Sequence, residues 1–487
     1  MQLRADQGFK FRGSSRAPKN RGAENVVSLP IKLRGRPGSG KGQSLPQCDP
    51  KNFRPVSNLT FLSKLLERII QKRLQAFLDS NMLMPPRQSA YRQFHSTETA
   101  VTKVFNDLLL AADDGEVSAL CLLDLTAAFD TVDHDLMLLK LERQFGLCGI
   151  VLKWFQSYLC DRTFRVIYNG STSCIVHVLS SVPQGSVLGP QLFIMYTADL
   201  EEKVDEHGVD YHAYADDTQL YLRCGCDDTS TAVQKLEHCI TDINQWMSAN
   251  RLRLNPDKTE LLWSGSRHSL YRLGGCGPAI KLGADTIKAS GHVRVLGVTM
   301  SSDLCLEKHV SAVSAACFFH LRQICRVRQS LDAGSAATLI HAFVTSRVDY
   351  CNAVLAGSPR FTTDKLQRVM NSAARVVTDT RKFDSGLSRL LHNELHWLDV
   401  TDRVRLKVAM YCSLSVSHFN LHGMAPLYLV NSCTPTADIS GRQHLRSASQ
   451  RKLIVPRYRL NSFGRRCFAV AGRRPGIRYL TVFATQH

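Results

Sequence analysis

Three observations predict an α+β fold. Val209, Tyr211 and Ala213 alternate with Asp210, His212 and Tyr214, and Thr218-Gln219-Leu220-Tyr221-Leu222 resumes the extended pattern, so two strands flank an acidic tip. Ala119-Leu120-Cys121-Leu122-Leu123 is a short apolar run suited to a buried strand. Elsewhere apolar residues recur at helical spacing, and beyond about residue 300 that spacing dominates.

Taken in order, residues 1–49 mix Lys and Arg with Gly, Ser and Pro, a composition that predicts a disordered basic tail. Within it, Gly35-Arg36-Pro37-Gly38-Ser39-Gly40-Lys41-Gly42 approaches a phosphate-binding loop. Gly42 stands where a Ser or Thr is required, however, and Pro37 interrupts the turn. Leu62, Leu65, Leu66, Ile69, Ile70 and Leu74 predict a helix over 61–78, and a second covers 97–110. Helices are expected at 134–145 and 154–159, then paired strands at 165–168 and 174–178 around Asn169-Gly170. A helix over 231–250 carries Val233, Leu236, Ile240, Ile243 and Trp246 on one stripe. Three more follow at 309–327, 334–355 and 363–378.

The acidic tip is Tyr214-Ala215-Asp216-Asp217. Adjacent carboxylates repel unless a cation lies between them, and Mg²⁺ is served by one or two carboxylates plus phosphates and water. Alone, the pair reads as a solvated turn. Asp124, at the end of the 119–123 run, changes that: three carboxylates suffice for two ions that stabilise an in-line phosphoryl displacement. Composition points the same way. A formal net charge of +19 suits a protein that holds a polyanion. The 16 cysteines form no Cys-x-x-Cys pair, which argues against zinc and for reduced thiols. No apolar run reaches spanning length, so a soluble intracellular protein without membrane contact is expected.

In this order the pieces resemble the reverse transcriptase of LINE-type, non-LTR retrotransposons. Leu123-Asp124 with Ala128-Phe129-Asp130 is similar to motif A, Pro183-Gln184-Gly185-Ser186-Val187-Leu188-Gly189-Pro190 to motif B, and Tyr214-Ala215-Asp216-Asp217 to motif C. Leu254-Asn255-Pro256-Asp257-Lys258 looks like motif D and Val295-Leu296-Gly297-Val298 like motif E. Upstream, Asn52-Phe53-Arg54-Pro55-Val56-Ser57 resembles the first fingers motif. Gln88-Ser89-Ala90-Tyr91-Arg92 with His95-Ser96-Thr97-Glu98 resembles the second.

The resemblance implies a right-hand polymerase: fingers and palm with an antiparallel sheet over 50–300, a helical thumb over 301–385, and a C-terminal extension over 386–487. It implies RNA-directed DNA synthesis from dNTPs on an RNA template, using a DNA primer or target, in nucleus and cytoplasm. Asp124, Asp216 and Asp217 would be catalytic and bind two Mg²⁺ ions, with Mn²⁺ as a substitute. Lys258 would protonate the leaving pyrophosphate; an exposed turn lysine is the competing reading. Phe129 would exclude a ribose 2′-OH, against a plain core Phe. Gln184, Gly185 and Tyr214 would line the nucleotide pocket. Arg54 would grip the triphosphate, and Arg92 likewise, against a solvated surface Arg. Lys308, His309, Arg322, Arg326 and Arg328 would track the duplex backbone, against ordinary solvated helix faces.

Two departures stand out. An endonuclease usually precedes such an enzyme, and Arg473 to His487 does not follow the family's ending. These features predict a truncated or frameshifted copy, and keep open an alternative: a catalytically idle nucleic-acid-binding remnant.

Overall fold

The computed structural model describes residues 25–28, 57, 59–168, 171–381, 383–417, 425–434, 436–441 and 453–472. The chain divides into two compact units, one of residues 1–85, 125–201 and 243–254 and the other of 86–124, 202–242 and 255–487.

The second unit is organised by a four-stranded antiparallel sheet. Its order is Asp210–Tyr214, Asp217–Cys224, Val117–Leu123, Glu260–Ser264. Val117–Leu123 lies inside the sheet and is buried at every position but Leu122, which is why it reads as an apolar run without alternation. Helix Thr97–Asp114 packs its Val101, Phe105 and Leu108 with Leu120, Tyr221 and Leu262 of the sheet. Ser96 and Thr99 close its N-terminus as a reciprocal cap, and Gly115 ends it at φ +88°. The same apolar cluster continues through the hairpin of His292–Val295 and Val298–Ser301 into helices Glu307–Val327, Arg360–Thr378 and Val400–Ser417. Within this unit the residues after 300 therefore share one core with the sheet.

One expected helix is broken. Residues 334–355 run as Ala333–Ile340, a π-turn His341–Thr345, and Ser346–Asp349. The chain then extends at Tyr350 and enters the left-handed region at Cys351, φ +51°. The cause is tertiary. Glu98, nearly buried, accepts the Ala353 N–H at 3.1 Å and pairs with the Lys407 ammonium at 3.1 Å, while Arg403 holds Asp349 at 2.8 Å. A buried carboxylate needs donors, and the chain turns to supply one.

The first unit contains helices Phe61–Ser80, His134–Arg143, Gly149–Leu159 and Gly189–Tyr196. Its strand Thr163–Tyr168 pairs antiparallel with Ser171–Thr172 and Val176–His177, as the sequence predicts; the Asn169-Gly170 turn lies outside the described residues. In the segment expected to lack regular structure, Asn25–Ser28 forms a strand parallel to Thr163–Tyr168. The other residues of 1–49, including the Gly35–Gly42 stretch, lie outside the described residues, as does 473–487. Among the described residues no helix is long and apolar enough to cross a membrane.

Candidate active site

In the second unit, Tyr214 pairs with Asp217, leaving Ala215 and Asp216 as a two-residue hairpin turn. Tight hairpin turns need positive φ at a central residue, and Ala215 provides it at +59°. Asp217 precedes Thr218, which pairs with Leu123, the residue before Asp124. The register thus brings all three predicted carboxylates to one end of the sheet. Lys258 joins them. The Asp124 carbonyl accepts the Asn255 N–H at 2.9 Å, which draws in the turn Pro256–Lys258 and sets the Lys258 ammonium 2.9 Å from Asp124 Oδ2. With Lys258 61% exposed, that ion pair is worth about 1 kcal/mol or less.

Asp217 carries the electrostatic strain. Water reaches it at the turn, yet lost solvation, with repulsion from Asp216 and Asp124, pushes its carboxyl up to about 6. Lys258 opposes this without cancelling it. The folded state therefore bears a cost above pH 6 that fades as pH falls through 6 and is gone below the carboxyl's ordinary value. Without divalent metal, Asp217→Asn is expected to melt a few degrees above wild type at pH 7.5, the gap closing below about pH 4. Equal melting temperatures at pH 7.5 would contradict this electrostatic account.

Among the described residues no group of three or more carboxylate, imidazole or thiolate side chains is placed to hold a metal ion. An open carboxylate set with surplus negative charge suits Mg²⁺, which keeps waters and recruits phosphate oxygens as further ligands. Asp124, Asp216 and Asp217 are three carboxylates of this kind at one end of the sheet.

Phe129, Gln184 and Gly185 belong to the first unit. Phe129 sits in the 3₁₀ turn Ala128–Asp130, half-buried, its ring stacked on Phe193 with centroids 4.6 Å apart. Two backbone bonds zip this turn to the following loop: Val182 N–H to Phe129 O at 2.9 Å and Ser181 N–H to Val132 O at 2.8 Å. The Gln184 side-chain amide donates to Asp130 Oδ1 at 2.7 Å, and the Gln184 backbone carbonyl accepts the Ser57 N–H at 2.8 Å. Gly185, at φ +94°, occupies a backbone region that side chains rarely adopt.

Glu67 was not anticipated. Its buried Oε2 accepts the N–H groups of Val187 at 2.6 Å and Leu188 at 3.2 Å, holding the loop that begins with Pro183 and Gln184. A signal existed: Glu67 shares a helical face with Ile70, Leu74 and Leu78, where a carboxylate belongs only if something needs it. Glu67→Ala is expected to cost about 1.5–3 kcal/mol in urea unfolding, because two buried donors lose a charged acceptor. A change below about 0.5 kcal/mol would show the loop to be held otherwise.

The remaining residues divide. The Arg92 guanidinium donates to Gln88 O at 3.2 Å. Tyr214 is half-buried beside the turn. Burial first, then Asp216 and Tyr214, raise the Tyr91 hydroxyl, placing this unassigned ring near the acidic tip. Arg54 lies outside the described residues. Two expected backbone-tracking residues are corrected. His309 is buried and its imidazole is pushed down to about 4, chiefly by burial and then by Arg294. Arg328 spends its guanidinium on the carbonyls of Leu331, Val376 and Val377, at 2.6, 2.7 and 2.9 Å, capping helix Arg360–Thr378.

The profile of the family "Reverse transcriptase (RNA-dependent DNA polymerase)" matches residues 41–300. The probable RNA-directed DNA polymerase from transposon BS of Drosophila melanogaster is 28% identical over 389 residues, 77% of this chain and 41% of that one. The RNA-directed DNA polymerase from mobile element jockey of the same species is 31% identical over 55% of this chain and 29% of its own. The Pol polyprotein of the type-1 retrotransposable element R1 of Bradysia coprophila is 26% identical over 73% and 35%. The chain thus spans less than half the length of these curated relatives. Among solved structures, apo telomerase from Candida tropicalis aligns with 75% of this chain and 61% of its own at 12% identity and a TM-score of 0.41. With the profile covering more than half of its length, this chain belongs to the reverse transcriptase family, and its curated relatives place it with the enzymes of non-LTR retrotransposons.

Proposed function

We propose that the chain is an RNA-directed DNA polymerase: it joins a dNTP to a primer 3′-hydroxyl on an RNA template and releases pyrophosphate. The observation that carries this reading is the gathering of Asp124, Asp216 and Asp217 at one sheet end, with Asp217 raised to about 6 by lost solvation and then by repulsion from Asp216 and Asp124. These three carboxylates would hold two Mg²⁺ ions, or Mn²⁺ in their place. Bound there, the metal would lower the pKa of the primer hydroxyl and neutralise charge on the phosphates.

The chain's own residues do the rest. Lys258, paired with Asp124, is the proton donor to the departing pyrophosphate. Arg92 offers a guanidinium to phosphate oxygens, and Arg54 is assigned the same part. Phe129 is assigned the gate against a 2′-hydroxyl, and Gln184, Gly185 and Tyr214 are assigned to binding the nucleotide. Surplus positive charge retains the RNA template and DNA primer through their phosphates. The sheet is the palm of this reading, the segments before it the fingers, and the helices after residue 300 the thumb.

Primer extension on an RNA template with dNTPs and Mg²⁺ tests it. Extension by the purified chain is the expected result. A folded chain that binds template–primer but adds no nucleotide would overturn it in favour of an idle nucleic-acid-binding remnant.

A further inference from the structure

The turn that carries Asp216 is not self-supporting. Ala215 adopts φ +59°, a conformation a residue with a Cβ resists, and it has no glycine's freedom to relax. Something must hold it there. The side chain of Gln88, only 3% exposed, does so from a distant part of the sequence. Its Oε1 accepts the Ala215 N–H at 2.9 Å, and its Nε2 donates to the Ala215 carbonyl at 3.2 Å. Those two groups belong to the two peptide planes on either side of the Ala215 Cα. One amide therefore restrains both backbone torsions of Ala215, and the second plane leads directly to Asp216.

Gln88 is itself fixed. Its Oε1 also accepts the Ala90 N–H at 3.0 Å, so its rotamer is tied to its own segment. That segment runs alongside the strand Asp210–Tyr214: Ala213 N–H donates to Arg87 O at 3.0 Å, and Ser89 N–H to Ala213 O at 2.9 Å. A side-chain chain locks the register from the other direction. Thr99 Oγ1 donates to the Ser96 carbonyl at 2.9 Å, and the Tyr428 hydroxyl donates to Thr99 Oγ1 at 3.0 Å. Ser89 Oγ is then left to donate to Tyr428, 2.8 Å away, and to accept from His212 Nε2 at 2.9 Å. His212 follows as the neutral Nε2–H tautomer; burial, foremost, pushes its imidazole down to about 3. The region after residue 400 thus reaches, through Tyr428, the strand that delivers the acidic turn.

We infer that Gln88 is a positioning residue, whose side-chain amide clamps both peptide planes of Ala215 and so aims the Asp216 carboxylate. This rests on the polymerase reading for its catalytic consequence, not for its geometry. Gln88 touches no reacting atom in this scheme; it acts through the backbone of the turn.

The test compares the full chain with Gln88→Met, which keeps the side chain's length and removes both hydrogen-bonding ends. Extension rate, dNTP KM, template–primer affinity, thermal melting and Mn²⁺ affinity (by paramagnetic resonance of free Mn²⁺) are measured. Because a misplaced catalytic group costs up to about 10²-fold, kcat is expected to fall at least about tenfold and the Mn²⁺ Kd to rise about threefold or more. Template–primer Kd and dNTP KM should stay within about threefold. A kcat within about twofold of wild type, or parallel losses of kcat, template–primer binding and melting temperature, would overturn the positioning role. Should Gln88→Met fail to fold, Gln88→Asn retains an amide but withdraws it by one methylene, and is held to the same outcomes. If the wild-type chain shows no extension, the polymerase reading fails, and Mn²⁺ affinity still decides the clamp: unchanged in the variant, the clamp is wrong; weakened, it stands.

Discussion

Asp216→Asn is expected to abolish nucleotide addition, lowering the extension rate about 10³-fold or more, since in the proposed reaction its carboxylate would hold metal and contribute several kcal/mol of transition-state stabilisation. Asparagine matches aspartate in size and keeps an oxygen, but it loses the charge at the apex of the turn. Template–primer binding stays within about threefold, because phosphate contacts hold the duplex independently of the reacting centre. Melting temperature does not fall, since removing one of three mutually repelling carboxylates relieves the strain that raises Asp217. Loss of duplex binding and folding together with activity would show that the carboxylates hold the fold and not the chemistry.

Phe129→Ala is the second large effect, and it is read as a ratio. The preference for dNTP over NTP, taken as the quotient of kcat/KM values, is expected to drop about 100-fold, a loss typical of opening space in a tight pocket. The variant carries a separate structural cost, because Phe129 stacks on Phe193 and such pairs are worth about 0.5–1.5 kcal/mol beyond their burial. A ratio is insensitive to that cost. Phe129→Tyr, which keeps ring and stack, should retain discrimination. An unchanged ratio in Phe129→Ala would leave Phe129 as a packing residue only.

Much of the local structure was legible. The hairpin around Ala215-Asp216 was visible in its period-two alternation, and the central strand Val117–Leu123 in its unbroken apolar run. The helix expected over 97–110 is present and runs further, to Asp114, where Gly115 ends it in the left-handed conformation. The predicted helix over 334–355 failed for a definite reason. Its spacing is helical throughout, but Glu98 in another part of the chain captures the Ala353 N–H and diverts the backbone at Cys351. Arg328 and His309 failed similarly, one drawn onto helix-end carbonyls and the other into the core. Glu67 was written in the sequence as a charge on an apolar face, a signal passed over.

By itself, the sequence determined many of the elements, the acidic hairpin and the central strand among them, because turn geometry and periodicity act over a few neighbours. It placed Asp124 at a strand's end and Asp216 and Asp217 at a hairpin tip on those grounds alone. Only the tertiary structure decided their partners: Lys258 on Asp124, Gln88 on Ala215, Glu67 on the Val187 and Leu188 amides. Each joins residues more than a hundred positions apart. No local propensity encodes such a meeting; it arises when buried polar groups, excluded from water, must find partners wherever packing of the whole core has brought one within reach.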